Sequence, residues 1–265
     1  MTLHLKGFLN KNSSFTFFYV SLLIFILNMF IKFNQISLLL FVVFCSSTGN
    51  ATVRFANYYQ DHMVLQRAPQ RSIVWGYSDT VNRPIALTLN NKVYETVSSP
   101  VLSNAENGSI WTVTLDAQPE EGPFQVQVSA KLPNGTVETI VLNDVLFGDV
   151  WICSGQSNMQ FSVSGMFNAS VEIDNAIKYP KVRLFTVSDT VAYTPLEEPL
   201  AIGMKWSVPS NTTVPHMSAV CWLYGRMVHE GLDGRPMGLI HTSWGGTFIE
   251  YWTPPEVLTD CGIPP

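Results

Sequence analysis

The chain has 265 residues, room for one large domain or two smaller ones, with 46% hydrophobic and 13% charged residues and a net charge of −5. The acidic balance and the lack of basic clusters exclude nucleic acid as a partner. No metal-ligand spacing links the cysteines and histidines, so neither a metal nor any other cofactor is expected.

The first 51 residues read as a leader. Phe15 to Ile31 and Ile36 to Cys45 are apolar runs separated by Lys32, Asn34 and Gln35. The second run has the length of a signal-peptide core and is short for a membrane span. Small residues, Ser46 to Ala51, follow it, and Met29 with Lys32 forms a compact basic start. Translation is therefore expected to begin at Met29, with no membrane span left after cleavage. The alternative is a membrane anchor. Sequons at Asn50, Asn107, Asn134, Asn168 and Asn211 agree with a secretory route, ending in a lysosome or outside the cell. Cys45 leaves with the leader, and Cys153, Cys221 and Cys261 remain. Cys153, closing an apolar strand, is the expected buried free thiol, and Cys261 the expected half of a bridge.

From Thr52 to about Asp144 the pattern is β. Ser72 to Gly76, Ile85 to Leu89, Lys92 to Val97, Ile110 to Leu115, Phe124 to Ser129 and Val137 to Leu142 alternate or run apolar over strand length. Asn90-Asn91, Asn134-Gly135 and the segment Pro119 to Pro123 supply the breaks between them. Six strands with no helical period between them predict a β-sandwich-like accessory domain over residues 52–144. Its aromatic residues are expected to pack a core.

From residue 145 the elements alternate, which predicts an α/β domain with a parallel sheet. Val150 to Cys153 is a buried strand that breaks at Ser154-Gly155 and leads into Ser157, where a helix begins. A serine there holds its hydroxyl at the carboxyl edge of the sheet, where open α/β sheets bind ligands. Its own N–H lies on the same side, so hydroxyl and N–H together suit a nucleophile that must also hold an oxyanion. An ordinary helix cap is the plain alternative for a lone serine. Ala169 to Lys178 reads as a helix, Val182 to Val187 as a strand, and Pro195 to Pro215 as a Pro-rich loop. Met217 to Gly231 reads as an amphipathic helix with Val220, Leu223, Tyr224, Met227 and Val228 on one stripe. Met237 to His241 is a third buried strand, again running into a glycine-rich turn, Ser243 to Thr247. Two strands of one parallel sheet then end in special turns on the same edge, and that coincidence favours the nucleophile over the cap.

Gly148-Asp-Val-Trp-Ile-Cys-Ser-Gly-Gln-Ser-Asn-Met159 resembles the nucleophile block of the sialate O-acetylesterases of the SGNH-hydrolase superfamily. Trp244-Gly-Gly-Thr-Phe-Ile-Glu-Tyr-Trp252 is similar to a second block of that family. Asp61 to Arg67 resembles the opening of its β-rich part, and Met217 to Leu223 the helix between the two blocks. The resemblance covers Val53 to Pro265. It implies an SGNH-like, flavodoxin-like parallel sheet, present incompletely over residues 145–265, and hydrolysis of acetyl esters on sialic acid, typically at O9, by a serine. The substrate is then an O-acetylated sialic acid or sialoglycan.

On that reading Ser157 is the nucleophile. Its N–H and that of Gly245 or Gly246 are oxyanion donors, and Gln156 or Asn158 adds a side-chain amide. Thr247 and Glu250 support the second turn, or Glu250 binds the polyol. The family's catalytic His, in an Asp-x-x-His block, has no counterpart here. His62 reads as structural, His229 as solvated or interacting with the C-terminus of its helix, and His216 and His241 lie nearer the active edge without matching the family pattern. The chain as written is therefore expected to be inactive or nearly so, with an uncovered sheet edge and helical face. The competing readings are a non-catalytic glycan-binding fragment and an acetylesterase of other acetylated polysaccharides.

Overall fold

The computed structural model describes residues 53–101, 108–192 and 196–263. The leader, with Met29, Cys45 and the Asn50 sequon, and the sequon at Asn107 lie outside them. No helix among the described residues is long and apolar enough to cross a membrane.

The fold is mixed α/β, organised on one long strand, β9 (Val137–Gly155). Four antiparallel strands form a first sheet: β1 (Val53–Phe55), β3 (Ile73–Ser78), β7 (Ser109–Thr114) and the two-residue β6 (Ser99–Pro100). In the second sheet, the first half of β9 pairs antiparallel with β8 (Phe124–Lys131), followed by β4 (Pro84–Leu89) and β5 (Lys92–Val97). The middle of β9 takes β2 (Val64–Gln66) in parallel. Its last seven residues pair in parallel with β12 (Met237–Ser243), which pairs with β10 (Val182–Val187). β11 (Ile202–Ser207) closes that side antiparallel to β10. The expected boundary at Asn143-Asp144 falls inside β9, and strands from both sides of it share one eight-stranded sheet.

Burial follows the two grammars of the sequence. β3, β4, β7 and β8 bury alternate residues, as strands with one solvated face do. β10 and β12 bury nearly every residue, because each lies between two layers. On one face Phe185, Trp206 and Ile240 join the core built by Val53, Val74, Leu87, Trp111 and Val128. On the other, Leu184, Met237 and Leu239 meet Cys153, Val163, Met217 and Trp222.

Two short elements and one long helix cover that second face: α1 (Ser157–Gln160), α2 (Ala169–Asn175) and α3 (Ala219–Gly231); α4 (Pro255–Asp260), beyond β12, buries none of its residues. Ser218 caps α3, accepting from the Cys221 N–H at 3.2 Å. The apolar stripe expected for α3 is only in part its buried side: Leu223 and Val228 pack, half-buried, against the core. Ala219, Cys221, Trp222, Gly225 and His229 are buried, whereas Val220, Tyr224 and Met227 face outward with Trp151 and Ile152 of β9. The reason is distance: a Cβ on Gly225 would stand 2.5 Å from Leu239, so the helix lies too close to β12 for larger side chains. The Trp151 and Tyr224 rings meet edge to face at 5.1 Å on the outward side.

The cysteine assignments also change. Cys153 is bonded to Cys221, closing 68 residues and fixing α3 to the end of β9, and Cys261 is an exposed free thiol. The two bridged positions look unrelated in sequence because one reads as strand and the other as helix. His229 is buried rather than solvated, with Nδ1 2.6 Å from the Arg235 carbonyl.

Candidate active site

β9 and β12 end level with each other, Gly155 opposite Ser243. Gly155 holds φ at +141°, a conformation that residues with a Cβ resist, and so turns the chain into α1. The Trp244 N–H donates to the Gly155 carbonyl at 2.9 Å, tying the two turns together. Ser157 opens α1 and is exposed at this carboxyl edge. Gly245 lies against it: a Cβ there would stand 3.6 Å from Ser157 Oγ. The structure thus brings the two expected turns together at one edge of the sheet.

The contacts between them go through a residue that the sequence did not single out. Gln160, at the end of α1, accepts the Gly245 N–H on Oε1 at 2.8 Å and donates from Nε2 to Asp189 Oδ2 at 3.0 Å. Asp189 follows β10, so one side chain connects the ends of three parallel strands. The Gly245 N–H, expected as a possible oxyanion donor, is therefore already used, and of the two glycines Gly246 remains, at φ +78°. The helix-dipole contribution is also small, because α1 is a single turn. Gln156 and Asn158 are exposed on either side of Ser157.

The second turn is laced to the residues just after it. Thr247 Oγ1 donates to the Trp244 carbonyl at 2.7 Å and accepts from Trp252 Nε1 at 2.8 Å. Glu250 sits exposed on the 3-10 turn Ile249–Trp252. A cleft of about 470 Å³ opens beside this turn, lined by residues from the ends of β10 and β12, by Glu197 and Glu198, and by Trp244 and Trp252.

Among the described residues, no hydrogen bond reaches the Ser157 hydroxyl. His241, on β12, is buried with Nε2 2.6 Å from Ser243 Oγ and leaves Nδ1 without a partner. Burial pulls its pKa below the usual imidazole value, with Asp189 opposing in part, which disfavours the charged ring. His216 is exposed on the short turn Val214–His216. His62 pairs with Asp144 at 2.7 Å, far along the chain from both turns. No group of three or more His, Cys, Asp or Glu side chains among the described residues is arranged to hold a metal ion.

The comparisons with known proteins agree with this geometry. A family model of carbohydrate esterases, described as sialic acid-specific acetylesterase, matches residues 147–260, which include both turns. The chain is 40% identical to mouse sialate O-acetylesterase over 232 residues and 39% identical to the human protein over 228 residues. It is a member of the sialate O-acetylesterase family. That family is one of carboxylic ester hydrolases. These matches cover 85% and 84% of this chain but 42% and 43% of the mouse and human proteins, so the chain spans less than half the length of these relatives. A crystal structure of a carbohydrate acetylesterase from Xanthomonas citri superposes with a TM-score of 0.67 at 25% identity, over 80% of this chain and 45% of that one.

Gln160 and Asp189 stand outside the motifs that pointed to this site. A polar residue three positions after Ser157 falls on the same side of one helical turn, which was the only available signal for Gln160. For Asp189 there was none, since its place depends on the order in which the strands assemble.

Proposed function

We propose that this chain carries the acyl-accepting site of a sugar O-acetylesterase, with Ser157 as nucleophile. The observation that carries the reading is the joint ending of β9 and β12, which sets the Ser157 hydroxyl against the Gly245-Gly246 turn. Ser157 Oγ attacks the acetyl carbonyl and gives up its proton. The oxyanion is held by the N–H groups of Ser157 and Gly246, each worth about 3–4 kcal/mol when aimed at the developing charge. The sugar hydroxyl leaves with a proton, and water then releases acetate from the serine. Gln156 and Asn158 are the side-chain amides nearest the nucleophile in sequence and are exposed on either side of it. Gln160 and Thr247 hold the turns in place, and Glu250, exposed just after the second turn, is proposed to support it or to meet the polyol.

The names of the relatives support an O-acetylated sialic acid or sialoglycan as substrate, with O9 as the position proposed. The bacterial neighbour's title supports the broader reading of an acetylated carbohydrate. The scaffold reads as SGNH-hydrolase-like, with the strands before β9 as a β-sandwich-like accessory layer. Asn134, Asn168 and Asn211 are exposed, which suits glycosylation in a secretory or lysosomal compartment.

His241 is the imidazole on the strand next to Ser157, but it is held by Ser243. With no base on the Ser157 hydroxyl among the described residues, the 265-residue chain should hydrolyse acetyl esters slowly, because nucleophile and base act as a unit. The test is acetate release from 9-O-acetylated sialoglycans by the secreted chain and by Ser157→Ala. Slow release that falls at least tenfold in Ser157→Ala supports the proposal. Release that is unchanged by the substitution refutes it.

A further inference from the structure

The cleft beside the second turn has a composition that selects for its contents. Its polar lining includes Asp189, Glu197 and Glu198, and none of its lining side chains is Lys, Arg or His. Glu198 is matched from outside by Arg54 at 2.9 Å. Asp189 receives only the neutral amide of Gln160, and among the described residues no cation pairs with Asp189 or Glu197. The nearby imidazole of His241 is not among the lining residues, and burial disfavours its charged form. Trp244 and Trp252 supply half-exposed aromatic surface on the same cleft.

Ionised carboxylates accept hydrogen bonds and cannot donate them. A ligand that pairs with this lining must bring donors, and sugar hydroxyls are donors. A ligand carboxylate brings none, and adds a like charge at short range. Aromatic surface beside a few polar groups is the usual make-up of a small-molecule site, and about 470 Å³ is within the usual size.

We infer that the cleft between the ends of β10 and β12 holds a neutral, hydroxyl-rich acetylated polyol, and that a substrate carboxylate is kept outside it. The inference rests on Ser157 being the reacting group: Trp244 lines the cleft, and the next residue, Gly245, lies against Ser157. For a sialic acid, the acetylated polyol tail enters and the C1 carboxylate points to water. Neutral acetylated sugars enter without that constraint.

Binding separates this claim from turnover. Two probes are used with the Ser157→Ala protein, so that neither is hydrolysed: the α-methyl glycoside of 9-O-acetyl-N-acetylneuraminic acid and the C1 methyl ester of the same glycoside. Saturation-transfer NMR titrations give the two affinities. The methyl ester should bind roughly three- to tenfold more tightly at low ionic strength, the size expected from two unpaired carboxylates several ångströms away. Added salt should narrow the gap. Glu197→Gln, an exposed change with little effect on folding, should narrow it too, and Asp189→Asn further. Equal or tighter binding of the free carboxylate would overturn the inference, as would a gap untouched by Glu197→Gln and by salt. If neither probe binds, the cleft is not the sugar site. Ser157-dependent acetate release would then still stand as the esterase reading.

Discussion

The two halves of β9 sit in the same sheet and are built on different principles. Its first half joins antiparallel strands that bury every second residue, and its core is aliphatic and aromatic throughout. Its last seven residues lie in the parallel part, cross-linked by Cys153–Cys221. There β10 and β12 are well buried, but β9 itself is not the buried strand expected at Val150 to Cys153: Trp151 and Ile152 are exposed and only Cys153 is buried. Stability in the first half is spread over many side chains. In the second it is concentrated in a bridge and a close helix–strand contact, and one exposed glutamine links the strand ends. The parallel part is therefore the place where single changes should separate folding from chemistry.

The largest effect should come from the bridge. A disulfide that closes 68 residues stabilises by about 4 kcal/mol through the unfolded chain. Replacing both cysteines by serine should lower the denaturation midpoint accordingly. Hydrogen exchange should then speed up in β12 and α3 and stay slow in β4 and β8. Equal acceleration in both parts would show that the contrast between them is false.

Next is the joint between the halves. Asp144 of β9 pairs with the buried guanidinium of Arg183 on β10 at 2.6 Å and with His62 at 2.7 Å. The Arg183 hydrogen bond, opposed by partial burial and assisted by His62, holds the Asp144 pKa below its ordinary value of 3.8. A carboxylate with a depressed folded pKa stabilises above its unfolded pKa and loses that contribution as pH falls through the folded value. Asp144→Ala leaves Arg183 buried without its partner and should cost roughly 3 kcal/mol. The wild-type protein should lose stability on acidification below the ordinary carboxylate pKa, and Asp144→Asn should show a shallower loss there. Parallel acid-unfolding curves for the two would remove Asp144 from the account.

The smallest change in stability should belong to Gln160. Its side chain is exposed, so Gln160→Ala should shift stability by about 1 kcal/mol or less, while freeing the Gly245 N–H and releasing Asp189. Acetyl-ester turnover should fall about tenfold, mainly in kcat, and Gln160→Glu should not restore it, because it cannot donate to Asp189. A variant with wild-type turnover would make the link between strand ends incidental to the site.

Much of this arrangement was legible in the chain. Lys92–Val97 and Val182–Val187 are strands with the limits that their patterns predict, and the helix expected at Met217 begins two residues later behind its Ser218 cap. The nucleophile turn and the glycine turn were visible because glycine and serine at strand ends have few other uses. What was not legible depends on proximity. A hydropathy stripe ranks Val220 and Met227 as core, but close approach to Leu239 selects Ala219, Cys221 and Gly225 instead. The bridge was hidden for the same reason: Cys221 reads as one more helical apolar residue until α3 is laid on β12. Gln160 carries no motif, and its role follows from three strands ending together.

The most direct test of the central claim is to find where acetyl goes. If Ser157 is the nucleophile and lacks a base, it should be acetylated by p-nitrophenyl acetate and released slowly, so an acetyl-serine should accumulate. Mass spectrometry of the digested, briefly treated chain should place that acetyl group on the peptide containing Ser157, and Ser157→Ala should leave that peptide unmodified. Acetylation concentrated instead at Ser243, beside His241, would contradict the account and move the chemistry to the neighbouring strand.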